Sequence, residues 1–210
     1  MKNTLKSTTF SYKELTFEIH PEVYDPAEDS FQLLEAIQVK KGDTVLEIGT
    51  GCGVVALACA QIGANIVCSD INPYAVELTK RNYELNKSHI KGNVDIREGD
   101  LFSVLEPEEQ FDCIVFNPPY LPTKAEDRIG GTDWFDVATD GGTSGLKITK
   151  RFIEEARKYL HKNGHIYLVF SSLSDRNAFN NIISKAGFQA EIVLSRRFND
   201  EQIDVYCLHY

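Results

Sequence analysis

The chain has 210 residues, of which 42% are hydrophobic, and it carries a formal net charge of −9. This length and apolar content suit one domain with a sizeable core. The acidic balance disfavours general binding to nucleic acid, because phosphate contacts need lysine and arginine. No run of about 18 apolar residues is present, so we expect no membrane span, and the first residues lack the apolar core of a signal peptide.

After a polar stretch at residues 1–26, helices and strands alternate along the chain. Apolar periodicity predicts strands at residues 44–48, 65–68, 93–97, 111–116, 165–170, 189–194 and 203–209. It predicts helices at residues 27–37, 54–62, 72–86, 146–160 and 174–185. No helix fits between the last two strands, so these should pair antiparallel.

This alternation predicts an α/β fold with a doubly wound, Rossmann-like sheet of seven strands, the last of them antiparallel. We expect a single domain over residues 1–210, in which residues 1–38 form an N-terminal extension and helix and residues 39–210 form the core. Residues 121–145 are a long, polar, glycine-rich loop that contains Trp134 and Phe135. Loops this long are usually functional or mobile, so this loop is expected to fold over a substrate, although Trp134 would equally suit the core.

The five cysteines form no Cys-x-x-Cys pair, and most of them lie in apolar runs. Reduced, buried thiols in a cytoplasmic protein are therefore expected. His161 and His165 are four residues apart, but Asn163-Gly164 between them breaks any helix that would align them. We expect both histidines to be solvated and predict no metal site.

A glycine-rich turn joins the strand at residues 44–48 to the helix that follows it. Its glycines, which permit a tight turn and let backbone N–H groups approach a ligand, are Gly49, Gly51 and Gly53. Alone this pattern is weak, because such turns serve many nucleotide ligands and some none.

Acidic residues end the first three strands of the sheet: Glu47, Asp70 and Asp100. Asp70 follows the glycine turn by about twenty residues, where an acid accepts hydrogen bonds from ribose hydroxyls. Asp100 is placed to accept from the amino group of adenine. An acidic lining disfavours a pyrophosphate and favours a ligand with a cationic centre, a ribose and an adenine. S-adenosylmethionine has all three.

The sequence Asn117-Pro118-Pro119-Tyr120 directly follows the predicted strand at residues 111–116. Neither proline has an N–H for a strand ladder, and the residue before a proline is held extended, so the strand ends in a stiff corner. Ligands bind at this end of the strands in open α/β sheets. Asn117 Oδ1 and the Pro118 carbonyl oxygen are placed to accept the hydrogens of a planar NH2 group, and Tyr120 to pack on its plane.

Together these features resemble the class I S-adenosylmethionine-dependent methyltransferases: Glu47-x-Gly49-x-Gly51-x-Gly53, Asp70, Asp100 and Asn117-Pro118-Pro119-Tyr120. More narrowly, the chain resembles the archaeal and eukaryotic branch of the HemK/PrmC group, which methylates the side-chain amide of glutamine. The likeness to this branch lies in residues 23–30 and in Gly141-Gly142 and Gly145. The branch lacks the N-terminal helical domain of the bacterial enzymes.

The resemblance implies roles for individual residues. It assigns S-adenosylmethionine binding to Ser30, Glu47, Gly49, Gly51, Gly53, Asp70, Asp100, Leu101 and Asn117. It assigns catalysis to Asn117, Pro118 and Tyr120, and binding of the substrate amide to these residues and Pro119. The implied substrate is the glutamine of the Gly-Gly-Gln loop in a class-1 peptide chain release factor.

The residues by themselves leave the methyl acceptor open. Adenine N6 is also a planar nitrogen and is reached by base flipping, but this chain is acidic and has no spare domain for target recognition. Lysine methylation is a third reading, although an ammonium must lose a proton and the corner offers no evident base. A non-catalytic protein that keeps the cofactor fold is the alternative from another class.

The resemblance also implies a partner, because enzymes of this branch often require a small zinc-binding activator protein. In this fold the predicted strand at residues 93–97 lies at a sheet edge, and it alternates apolar and polar residues. An exposed edge accepts a partner strand, so we expect the activator there, the alternative being a shielded edge. No membrane or nucleic-acid partner is expected.

Overall fold

The computed structural model describes residues 9–123 and 134–210. Its strands are β1 (Thr9–Tyr12), β2 (Leu15–Glu18), β3 (Thr44–Ile48), β4 (Asn65–Asp70), β5 (Val94–Glu98), β6 (Phe111–Phe116), β7 (Leu160–Ser171), β8 (Gln189–Phe198) and β9 (Glu201–His209). Its α-helices are α1 (Glu28–Ala36), α2 (Val54–Ile62), α3 (Pro73–Asn86), α4 (Trp134–Thr139), α5 (Lys147–Ala156) and α6 (Arg176–Lys185). Short 3₁₀ turns cover Lys87–His89, Leu101–Val104 and Arg157–Tyr159.

Seven strands form the main sheet in the order β5-β4-β3-β6-β7-β9-β8. Strands β5, β4, β3, β6 and β7 run parallel to one another. Strand β9 lies between β7 and β8 and is antiparallel to both. This arrangement confirms the predicted fold class and the antiparallel last strand. It also places β5 at one edge of the sheet, as expected for the strand predicted at residues 93–97.

The sheet is covered on both faces because its central strands carry apolar side chains at successive positions. In β3, Val45 joins one hydrophobic cluster and Leu46 the other, since neighbouring side chains point to opposite faces. The first cluster includes residues of α1, α2 and α3, and the second includes residues of α5 and α6. The helices therefore lie on the two faces of a doubly wound sheet.

A small hairpin of β1 and β2 within residues 1–26 was not predicted from the sequence. Its strands have four residues each, too few for a clear alternation. Two asparagines of α3 hold it: Asn86 Oδ1 accepts from the Thr16 N–H at 2.9 Å, and Asn82 Oδ1 accepts from the Glu18 N–H at 2.8 Å. A tertiary contact, rather than local sequence, therefore determines this element.

Several elements differ from the predicted boundaries; β8, for example, continues to Phe198 rather than ending at residue 194. Helix α4 forms inside the stretch that was predicted to be a loop, residues 121–145. The helix predicted at residues 146–160 ends at Ala156, and β7 begins at Leu160 rather than at residue 165. His161 therefore lies in β7, where its Nδ1 is 3.0 Å from Asp112 Oδ1.

The five cysteine side chains are buried and unpaired. Burial raises the pKa of the Cys52 and Cys59 thiols to about 12, so these remain protonated at neutral pH. Among the described residues, no helix is both long enough and apolar enough to cross a membrane.

Candidate active site

A cavity of about 270 Å³ opens at the carboxyl ends of β3, β4 and β6. Most of the residues assigned to the site from the sequence line it: Ser30, Glu47, Gly49, Gly51, Asp70, Asp100, Leu101, Asn117, Pro118, Pro119 and Tyr120. They come from segments far apart in the chain, and the sheet order brings them together. The strand order reverses beside β3, which is where open α/β sheets bind ligands.

The turn between β3 and α2 depends on its glycines in two different ways. Gly49 and Gly51 have φ of +68° and +57°, which favours glycine, and both line the cavity. A Cβ on Gly49 would meet the Phe116 ring at an ordinary contact distance of 3.4 Å, so the positive φ rather than a lack of space favours glycine there.

Gly53, which the sequence assigned to the cofactor, does not line the cavity. Its φ is +84°, and a Cβ added there would lie 2.8 Å from Thr79 Cγ2. The positive φ and the close packing of α2 against α3 both account for a glycine at this position, and its contact with the cofactor stays a prediction. One glycine-rich turn both lines the cavity and packs against α3. The sequence shows the glycines but not which of them serves which purpose.

Glu47 is buried at the end of β3. Its Oε2 accepts a hydrogen bond from Thr50 Oγ1 at 2.7 Å and another from the Ala56 N–H at 3.0 Å. Burial raises the pKa of Glu47 to about 8, although these two hydrogen bonds oppose the rise. A cation beside this carboxyl would favour its ionised form, so the group suits a cationic ligand.

Asp70 ends β4 and fixes the glycine turn. Its Oδ2 accepts from the Gly51 N–H at 2.9 Å, and its Oδ1 accepts from the Asn72 N–H at 2.9 Å. Burial raises its pKa above the ordinary value. Each carboxylate oxygen has a further lone pair, so Asp70 retains the capacity to accept from ligand hydroxyls.

Asp100 has a partner that the sequence did not predict. Arg151 of α5 donates from Nη2 to Asp100 Oδ2 at 2.7 Å, and both residues line the cavity. The next residue, Leu101, is buried and has φ of +50°, a strained conformation for a leucine. The apolar side chain of Leu101 and the paired acid form one wall of the cavity.

The Asn117-Pro118-Pro119-Tyr120 corner follows β6 directly, as predicted. Asn117 Nδ2 donates to Asp29 Oδ2 at 2.9 Å, and the Tyr120 hydroxyl donates to the same oxygen at 3.1 Å. Asn117 Oδ1 is buried and has no hydrogen-bond partner among the described residues. An unsatisfied buried acceptor costs about 1–3 kcal/mol, which a bound N–H donor would recover.

Asp29 is the main residue of the site that sequence reasoning missed. It is buried at the start of α1, beside Ser30, and accepts hydrogen bonds from the corner. The only signal was its position within residues 23–30, which resemble the archaeal and eukaryotic branch. Nothing in that segment indicates the contact, because Asp29 and Asn117 are 88 residues apart.

Helix α4 forms part of the cavity wall through Trp134 and Val137. A backbone hydrogen bond joins the end of this helix to the start of residues 121–145: the Leu121 N–H donates to the Thr139 carbonyl at 3.1 Å. Trp134 is half-buried at the cavity rather than in the core. The rest of the expected substrate-covering loop, residues 124–133, and the side chain of Phe135 lie outside the described residues.

The parallel sheet with β9 inserted antiparallel, and a ligand-sized cavity where β3 and β6 end, define the class I methyltransferase architecture. Residues 15–141 match the methyltransferase small domain family. A putative protein N5-glutamine methyltransferase of Methanocaldococcus jannaschii is 44% identical over 179 residues, which cover 85% of this chain and 87% of that protein. The human methyltransferase HEMK2 is 34% identical over 194 residues and 88% of each chain.

Among solved structures, the Mtq2–Trm112 complex of E. cuniculi matches with a TM-score of 0.67 and 22% identity, over 90% of this chain and 98% of that one. That complex is described as responsible for methylation of the eRF1 translation termination factor. At this identity the likeness speaks for the fold alone. The family match and the two relatives carry the assignment: the chain belongs to the methyltransferase small domain family and to its HemK/PrmC group.

Proposed function

We propose that this protein transfers a methyl group from S-adenosylmethionine to the side-chain nitrogen of a glutamine, N5, in a protein. The proposed substrate is the glutamine of the Gly-Gly-Gln motif of a class-1 peptide chain release factor. The observation that carries this proposal is the buried Asn117 Oδ1, an unpartnered acceptor in a corner that lines the cavity. The name of the Methanocaldococcus jannaschii relative supports the same reaction.

The cavity fits S-adenosylmethionine on two grounds. Gly49 and Gly51 line it with bare backbone at positive φ, which favours glycine, so this backbone can lie against a ligand. The acids match its parts: Glu47 for the cationic centre, Asp70 for the ribose and Asp100 for the adenine. Ser30 of α1 lines the same cavity, which supports a single domain in which the described part of the N-terminal extension contributes to the site of the core.

Bound S-adenosylmethionine would supply a methyl group on a positively charged sulfur, which becomes neutral when nitrogen displaces it. The protein's task is then mainly to position the amide, because an amide nitrogen is a weak nucleophile. Asn117 Oδ1 and the Pro118 carbonyl oxygen each accept a hydrogen bond from one of the two N–H groups of the amide. These acceptors stabilise the positive charge that develops on the nitrogen until one proton leaves to water.

The same geometry separates glutamine from the rival acceptors. A lysine must lose a proton before it reacts, and Asp29, the acid nearest the corner, is occupied by hydrogen bonds from Asn117, Tyr120 and Ser30. Adenine N6 offers the same NH2 group, but an acidic chain with a net charge of −9 is poorly suited to a nucleic-acid substrate.

The experiment uses the purified protein with a labelled methyl donor and two acceptors, a recombinant class-1 release factor and bulk nucleic acid. We expect label only in the release factor, and mass spectrometry should place it on the glutamine of Gly-Gly-Gln. A release factor with Gly-Gly-Asn is the matched control and should take no label. Label in nucleic acid, or on lysine, would contradict the proposal.

We further propose that a small zinc-binding activator protein pairs with β5. Strand β5 is an edge strand whose partner in the described part of the chain is β4. Its Val94 and Ile96 are only partly buried. The helices α2 and α3 both contact β5, and they carry the half-exposed side chains of Ile62 and Leu85. The likeness to Mtq2 in its complex with Trm112 supports a partner of this size.

Co-expression with such an activator tests this second proposal. We expect a stable pair on gel filtration and a higher methyl-transfer rate than the chain alone gives. Full activity of the isolated monomer would contradict an obligate activator.

Since release factors act in the cytoplasm, we place the protein there.

A further inference from the structure

We infer that Asp29 is a positioning residue whose carboxylate sets the direction of the Asn117 amide, so that Oδ1 and not NH2 is offered to the substrate. This inference rests on the proposed glutamine methylation and deepens it. Asp29 acts through Asn117, which is the residue that touches the substrate amide.

The carboxylate of Asp29 is held on both oxygens. Oδ1 accepts from the Ser30 N–H at 2.7 Å and from Ser30 Oγ at 3.2 Å. Oδ2 accepts from Asn117 Nδ2 at 2.9 Å, from the Tyr120 hydroxyl at 3.1 Å and, more weakly, from the Tyr24 hydroxyl at 3.5 Å. With donors on both sides, the plane of the carboxylate has little freedom to rotate.

An ionised carboxylate only accepts hydrogen bonds, so the Asn117 group that faces Asp29 must be the NH2. The amide oxygen of Asn117 is then left over, and it is the buried atom without a partner. If the amide were reversed, two oxygens would face each other and the site would offer a donor. A donor cannot receive the N–H of a substrate amide, so the reversed amide would be inactive.

Asp29 is only 4% exposed, and no salt bridge to a described residue neutralises it. Its charge is instead supported by the hydrogen bonds above and by its place in the first turn of the nine-residue helix α1, where the helix dipole favours acids. A buried charge maintained in this way suits a positioning role, because a neutral side chain would pack as well without constraining Asn117.

The two tyrosines remain donors to this carboxylate. Burial, together with the charge of Asp29, raises the pKa of Tyr24 and of Tyr120 well above the ordinary value. Both hydroxyls are therefore protonated throughout the working range of pH. The arrangement holds the Tyr120 ring in place as well as the Asn117 amide.

The test compares Asp29→Asn with Glu28→Gln. The first change keeps the shape of the side chain but removes its charge and lets the Asn117 amide turn over. The second removes an exposed charge from the same helix turn and serves as the control. We expect kcat for the release factor to fall about 100-fold in Asp29→Asn, as for a misplaced catalytic group, with KM and the cofactor Kd within about threefold.

Glu28→Gln should stay within about twofold of wild type in all three parameters. The inference is overturned if Asp29→Asn keeps kcat within about threefold, or if its cofactor affinity falls in step with kcat, since that would indicate general damage to the cavity.

A second measurement needs no turnover. In protein labelled with ¹⁵N asparagine, the Asn117 NH2 signal is identified by its loss in Asn117→Ala. It should exchange slowly with water in wild type, and shift and exchange faster in Asp29→Asn. Fast exchange in wild type overturns the inference, even if Asp29→Asn fails to fold. If wild type methylates no acceptor, the proposed function fails while this measurement still decides the role of Asp29.

Discussion

The cavity has two halves that are built differently. In the cofactor half, Glu47 bonds to Thr50 and Ala56, and Asp70 bonds to Gly51 and Asn72, all within 19 residues along the chain. In the acceptor half, Asn117 depends on Asp29, which is 88 residues away. The Glu47 and Asp70 contacts form within strand–turn–helix segments, whereas the contact to Asn117 exists only when α1 lies beside the corner that follows β6.

This difference separates binding from chemistry. The cofactor half resembles turns that serve many nucleotide ligands, whereas the acceptor half holds the unpartnered Asn117 Oδ1 that we propose accepts from an NH2 group. Changes in one half should therefore leave the function of the other nearly intact.

The largest expected effect comes from Asn117→Ala. Loss of the acceptor Oδ1 should lower kcat about 10³-fold, as for removal of one preorganised polar group from a transition state. The cofactor Kd should change less than about threefold, measured by calorimetry. Asn181→Ala, which removes an exposed amide from α6, is the control and should be silent. Equal losses in kcat and cofactor affinity would abolish the distinction between the halves.

Glu47→Gln should change how stability depends on pH. The folded state holds the proton up to a pKa of about 8, whereas the unfolded state releases it near 4.5. The stabilisation is thus complete below pH 4.5 and is lost as pH rises toward 8. Between these values the free energy of unfolding of wild type should fall by about 1 kcal/mol per pH unit relative to Glu47→Gln.

Urea titrations of both proteins at several pH values measure this difference. The same variant should bind S-adenosylmethionine more weakly above pH 8, because it cannot acquire the charge that a cationic ligand favours. Parallel stability curves for the two proteins would show that the Glu47 carboxyl is not protonated in the folded state.

Asp70→Ala tests the cofactor half from the ribose side. We expect the cofactor Kd to rise about 30-fold, since hydrogen bonds to a charged group are lost and the Gly51 N–H loses its acceptor. At saturating cofactor, kcat should stay within about threefold. Asp100→Ala should have a smaller effect, because that carboxylate is half exposed and already paired with Arg151. An unchanged Kd in Asp70→Ala would contradict the ribose assignment.

The smallest effect tests the packing of Gly53 against Thr79, with Gly42, which lies before β3, as the control. Gly53→Ala and Gly42→Ala both place a side chain at positive φ, but only the first meets a neighbour, Thr79 Cγ2 at 2.8 Å. We expect each to lose about 1 kcal/mol of stability from the backbone, and Gly53→Ala to lose about 1–2 kcal/mol more from overpacking. Equal urea midpoints would mean that Gly53 has room for a methyl group after all.

Where the fold was predicted well, the pattern was local. Strands β3 and β6 and helix α2 have the bounds expected from the sequence, because apolar runs end there at glycine or proline. The β1–β2 hairpin and α4 were not predicted, because their elements are too short to show a clear apolar periodicity. The hairpin instead takes its support from asparagines more than 60 residues away.

The sequence by itself determined the alternation of strands and helices, the glycine turn and the rigid corner at Asn117, since each follows from the backbone chemistry of neighbouring residues. Only the tertiary structure decided that Asp29 orients Asn117, that Arg151 pairs with Asp100, and that Gly53 packs against Thr79. Such contacts join segments whose distance is set by sheet order and helix packing. No local pattern records them.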